Sequence, residues 1–152
     1  IRLAQSPINS TVDAIKQRSG VETRLSDKVI SGIVPTGASG DVAIVTVEFD
    51  PGTAQRFGVH VRESGTEFTA IGFDTKTREL FVDRRASGNT SFHPEFAGIH
   101  ACPCQTSPDG HVSFTVVVDR TSVEAFSSDN LSVISSLICA LTAKGAVIAS
   151  SA

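Results

Sequence analysis

The stretch from His111 to Phe126 limits the choice of fold more than any other. Val112, Phe114, Val116 and Val118 fall on one face of an extended chain, Ser113 and Thr115 on the other. That is the period-2 pattern of a strand with one buried face. Asp119, Arg120, Thr121 and Ser122 interrupt the apolar run with turn-forming and charged residues, and Val123, Glu124, Ala125 and Phe126 resume it. The pattern predicts a β-hairpin with a short loop. Its charges are Asp119, Arg120 and Glu124. Because buried charges persist only when paired, Arg120 is expected to bridge carboxylates at the mouth of the hairpin.

Similar short segments recur at spacings near ten residues. Strands are predicted at 29–34 (closed by Pro35), 41–49, 57–62, 67–74, 79–83, 112–118, 123–126, 131–141 and 146–149, with turns such as Asp50-Pro51-Gly52-Thr53 and Ser107-Pro108-Asp109-Gly110 between them. Residues 91–101, with Phe92, His93, Pro94 and Phe96, read as a loop. The one helix expected is a turn or two over 12–18, capped by Asn9-Ser10-Thr11. Short strands separated by turn chemistry predict an all-β antiparallel sandwich. Residues 1–20 are expected to be a lead-in and residues 21–152 the sandwich domain.

With 152 residues the chain is long enough to bury a core as one domain. A net charge of −3 gives no basic surface for nucleic acid or an anionic membrane, and no apolar run approaches the roughly 18 residues of a membrane span. The chain starts at Ile1, contains no methionine and carries no signal-peptide pattern, so it is expected to be a piece of a longer translation product. Three N-x-Ser/Thr triplets, at Asn9, Asn89 and Asn130, are candidate glycosylation sites and point to a secreted glycoprotein. Of the three cysteines, Cys102 and Cys104 are alternative disulfide partners for Cys139, and three free thiols are the other reading.

Two segments carry a family resemblance. Val-Asp-Arg-Thr-Ser-Val-Glu-Ala-Phe (118–126) resembles the Val-Asp-Arg-Ser-Ser-Val-Glu-Val-Phe signature of glycoside hydrolase family 32, departing at Thr121 and Ala125. Leu-Ala-Gln-Ser-Pro-Ile (3–8) is similar to the Leu-Val-Gln-x-Pro-Val segment by which members leave their catalytic propeller and enter a C-terminal β-sandwich. Residues 73–74 and 80–84 echo the family's first sandwich motif. The resemblance implies two antiparallel sheets of about six strands in a jelly-roll or lectin-like arrangement, residues 1–20 being the linker from a propeller outside this chain. It also implies a partner, that propeller, and a role in stabilising a β-fructofuranosidase acting on sucrose, inulin or levan.

No catalytic residue is assigned within the chain. Retaining glycosidases need two carboxylates facing the sugar, and the family takes them from propeller motifs (Trp-x-Asn-Asp-Pro-Asn-Gly, Arg-Asp-Pro and Glu-Cys) that do not occur in this sequence. His93, His100, Cys102 and Cys104 follow no familiar zinc spacing, so neither metal nor cofactor is expected. Asp119, Arg120 and Glu124 are taken as a structural signature. Phe92, His93 and Phe96 form a candidate contact patch, for the propeller or for a fructan or oligosaccharide. A rival reading, a free-standing lectin-like carbohydrate- or protein-binding module, has against it the lack of any Trp or Tyr for sugar stacking.

Overall fold

The computed structural model describes residues 3–19, 29–139 and 145–151. In chain order these hold one helix, α1 (Asn9–Ser19), and the strands β1 (Gly32–Ser39), β2 (Ala43–Phe49), β3 (Arg56–Ser64), β4 (Glu67–Asp74), β5 (Glu79–Asp83), β6 (Ile99–Pro103), β7 (Val112–Val118), β8 (Ser122–Ser127), β9 (Val133–Leu137) and β10 (Gly145–Ser151). One sheet has the order β1-β10-β3-β4-β5-β6 and the other β2-β7-β8-β9. All eight strand pairings are antiparallel. The chain changes sheet after β1, β2, β6 and β9. The all-β sandwich expected from the strand pattern is the fold observed.

The core follows from the alternation. Val112, Phe114, Val116 and Val118 of β7 are buried against Phe57, Val59, Ile71, Phe73, Leu80 and Val82 of the facing sheet. Phe49 links the two layers, its ring centroid 4.8 Å from that of Phe57 and 6.3 Å from that of Phe114. Each such side chain taken from water stabilises the fold by about 1.5–3 kcal/mol. Gly58 and Gly72 stand opposite each other in β3 and β4. A Cβ on Gly72 would lie 2.2 Å from the carbonyl oxygen of Phe57, so the two strands meet where only glycine fits.

Four local departures from the sequence reading have physical causes. β1 runs through Pro35, which pairs with Val147, instead of stopping before it. β1 ends the sheet, and an edge is where a residue without an N–H is tolerated. Second, β6 forms inside what read as a loop. It is also an edge strand, mostly exposed, so it lacks the alternation that betrays a half-buried strand. Third, α1 spans 11 residues. The Ile8 carbonyl accepts the N–H of Val12 at 3.1 Å, so Asn9-Ser10-Thr11 is the first turn and not the cap. The Thr11 N–H also donates to the Ile8 carbonyl, at 2.9 Å. Fourth, β9 ends at Leu137; of the strand predicted over 131–141, residues 140 and 141 lie outside the described residues.

The lead-in is packed, not free. Ile15 is buried, and α1 lies against β2. Gln5 donates its N–H to the Asn130 carbonyl at 2.7 Å.

Candidate functional site

The 118–126 signature folds as the hairpin predicted, β7 and β8 joined at Asp119–Ser122. Val118, Val123 and Ala125 face the core, while Glu124 is exposed. Among the described residues Arg120 does not bridge carboxylates. Its N–H bonds Asp119 Oδ1 at 2.7 Å, and its guanidinium reaches one acid, Asp41 Oδ2, at 3.5 Å. Asp41 also receives Arg62 at 3.5 Å, so one carboxylate lies between two guanidinium groups. The cause is a bulge. Arg62 adopts φ +54° where the β3–β4 register shifts between Val61 and Ser64. The side chain is buried and meets Asp41 from within. Such a bulge breaks the period that would have located it.

Glu124, Phe126, Val133 and Ser135 share an open cleft of about 470 Å³ with Ala4, Gln5 and Ser6. The two segments that carry the family resemblance are thus brought together across most of the chain.

The loop with Phe92, His93 and Phe96 lies beside β6, an edge strand of the six-stranded sheet. Phe96 is buried, and Phe92 stacks on it with centroids 4.6 Å apart while remaining 63% exposed. His93 Nδ1 accepts the Glu95 N–H. Beneath Phe96 lies Arg84, 4.4 Å from the ring centroid. Arg84 donates to the Leu137 carbonyl at 3.4 Å and lies 3.0 Å from His100 Nε2. His100 Nδ1 is 3.0 Å from Ser136 Oγ, which joins β6 to β9. Burial, with the Arg84 charge, pushes the His100 pKa down. A neutral ring that accepts from Arg84 at Nε2 and donates from Nδ1 fits both contacts. This Arg84–His100–Ser136 chain escaped the sequence reading because its members come from three strand ends with no fixed spacing.

Asp83 is the neighbouring acid, but it turns away. Burial opposes its ionisation, yet hydrogen bonds and charge from Arg85, with the charge of Arg56, outweigh this and hold its pKa below the usual value. The Arg85–Asp83 contact is 2.7 Å.

The cysteines form no bridge. Cys102 pairs with Leu80 near the start of β5, whereas Cys139 bridges Gly88, beyond its end. The three residues from 80 to 83 alone extend about 10 Å, more than the roughly 7 Å a disulfide can span between Cα atoms. Burial pushes the Cys104 thiol up to about 11. Among the sequons, Asn89 is exposed, and its Oδ1 accepts both the N–H and the hydroxyl of Ser91, the latter at 2.8 Å. Asn9 is exposed on α1. Asn130 has φ +58°, and its partner Ser132 is buried with its hydroxyl on the Pro103 carbonyl.

Comparison with known proteins gives this geometry a family. The profile described as "Glycosyl hydrolases family 32 C terminal" matches residues 5–152. The levanase of Bacillus subtilis (strain 168) is 36% identical over 141 residues, covering 91% of this chain and 20% of its own length. The extracellular exo-inulinase of Aspergillus awamori is 30% identical over 127 residues, covering 82% of this chain and 24% of its own. The crystal structure of an exo-inulinase from Aspergillus awamori superposes with a TM-score of 0.73 over 79% of this chain, again 24% of the other. A fructosyltransferase from A. japonicus shares the fold, with a TM-score of 0.77 over 97% of the chain at 15% identity. The chain spans about a fifth to a quarter of these relatives, and it belongs to the C-terminal domain family of the family 32 glycosyl hydrolases.

Proposed function

We propose that this chain is the non-catalytic C-terminal sandwich of a secreted β-fructofuranosidase-like hydrolase. In this reading residues 1–20 are the lead-in from the catalytic part and residues 21–152 the sandwich. The catalytic part lies outside the chain and cleaves fructosyl bonds of levan, inulin or sucrose, and the sandwich stabilises it. The observation that carries the reading is the match over residues 5–152 to a profile for the C-terminal part of such enzymes, together with relatives named levanase and exo-inulinase of which the chain covers 20% and 24%. Secretion is supported by the extracellular relative and by the exposed sequons at Asn9 and Asn89.

The test is enzymatic. The full-length gene product is assayed for fructose release from levan, inulin and sucrose, beside the purified 152-residue chain. Release by the whole protein and none by the chain is the expected result. Release by the chain alone would overturn the reading.

A further inference from the structure

Two of the sequons part company once the chain is folded. Asn89 is exposed, and its amide oxygen takes the N–H and the hydroxyl of Ser91. Ser91 is exposed too, so the asparagine and the hydroxyl that a glycosyl-transferring enzyme reads together both stay on the surface. Asn130 is different. It is half-buried at φ +58°, its N–H on the Ser127 carbonyl at 2.9 Å and its carbonyl on the Gln5 N–H at 2.7 Å. The hydroxyl of its sequon belongs to Ser132, which is 8% exposed and bonded to the Pro103 carbonyl. This turn joins β8 to β9, which are neighbours in both sequence and sheet. Such hairpins close in about 1–10 μs, so folding withdraws the Asn130 sequon early.

Beside Asn89 stands an aromatic ring in water. Phe92 is exposed, yet it is held in place by buried Phe96, which itself rests on Arg84. It follows Asn89 by three residues, a span of at most about 11 Å. A sugar ring has an apolar C–H face, and an aromatic face suits it. One such contact is weak for a free sugar, but a short covalent tether supplies an effective concentration of about millimolar. Asn9 is also exposed, on α1, but the first 48 residues contain no phenylalanine.

We propose that Asn89 carries an N-linked glycan whose first sugar rests on Phe92, and that Asn130 stays bare. The inference rests on the secretion read above and deepens it to one modified atom. The donor is an oligosaccharide linked to a lipid diphosphate. Asn89 Nδ2 forms a bond to the anomeric carbon, the bond from that carbon to the diphosphate oxygen breaks, the amide nitrogen gives up one proton and the lipid diphosphate leaves with the electron pair. The glycan then covers the aromatic ring that the loop over 91–97 leaves in water.

The experiment uses the full-length protein recovered from the organism that makes it. Treatment with peptide N-glycosidase in heavy-oxygen water, followed by peptide mapping, should convert Asn89 to labelled aspartate in most molecules and leave Asn130 unlabelled. A bare Asn89 in protein taken from the medium, or an occupied Asn130, would overturn the proposal and leave the secretion reading standing. Protein found only inside the cells would refute the secretion reading, and this proposal with it. The sugar contact is read by hydrogen exchange over residues 91–97 in the glycosylated protein. Asn89→Gln should speed exchange there by about threefold or more, and should have no effect in a Phe92→Leu background. Equal acceleration in both backgrounds, or the same acceleration from Asn9→Gln, would refute the stacking.

Discussion

Thr69 and Ser87 offer a clean test of how the two sheets are tied. Both are 0% exposed, and the Thr69 hydroxyl donates to Ser87 Oγ at 2.8 Å. Ser87 Oγ also takes the Cys139 N–H at 3.4 Å, so a β4 side chain connects through one hydroxyl to the chain just after β9. Ser87→Ala strips the acceptor from a buried donor that cannot reach water, which costs about 2 kcal/mol. Thr69→Val removes the donor itself in a near-identical shape and costs about 1 kcal/mol. Making both changes leaves no orphan on this pair, so the double variant should lose only about 1 kcal/mol, not the sum of about 3.

The assay is a double-mutant cycle read by urea titration and thermal unfolding. At about 2.1 cal/mol/K per residue, the unfolding entropy of a chain this size is about 0.3 kcal/mol/K, so 2 kcal/mol corresponds to a fall in Tm of about 6 °C. The expected coupling is about −2 kcal/mol. Additivity within about 0.5 kcal/mol would show that the two hydroxyls do not share a bond and would refute the reasoning.

Three further outcomes are expected. Phe114→Ala empties a site contacted from both sheets and should cost about 3–5 kcal/mol in urea unfolding, far above any surface change. Arg120→Ala removes an ion pair whose side chains are 66% and 34% exposed and should change stability by less than about 1 kcal/mol, so the signature arginine is not a stability determinant. The pKa values of both His60 and His100 are lowered, mainly by burial, so the unfolded chain binds more protons; their contribution is complete above about pH 6.5 and is lost as pH falls through the folded-state values. The urea midpoint should therefore drop from pH 7 to pH 5, and His100→Gln should flatten that slope.

What could be read from the sequence follows the burial of each element. β7 and β8 were legible because one face is core and the other is not, which imposes period 2 on Val112 to Val118. β6 was not, because an edge strand with Ile99, His100 and Ala101 all exposed has no apolar period to reveal. Asp119 and Arg120 were placed correctly at the hairpin tip, but the acid that Arg120 meets lies at Asp41. That pairing depends on which strands are neighbours, β2 beside β7, and on a bulge at Arg62, neither of which is coded locally. Phe92 and Phe96 stood out as aromatic residues in a polar loop, and the burial of Phe96 was not readable there. Nor was that of Arg84 beneath it, which is produced by β6, β9 and the loop converging.

Part of the signature lies against residues 4–6. Residues 4–6 lie against β8 and β9, and α1 lies against β2, at opposite edges of the four-stranded sheet β2-β7-β8-β9. Residues 4–6 and α1 therefore meet this sheet near its two opposite edges. Phe126 pairs with Thr115, on the face away from the core, and yet is only 7% exposed, lining the cleft it shares with the lead-in. The signature thus divides by face. Val118, Val123 and Ala125 build the core, while Glu124 and Phe126 line the cleft shared with residues 4–6. A nine-residue motif with no reacting group in it is explained by this double duty.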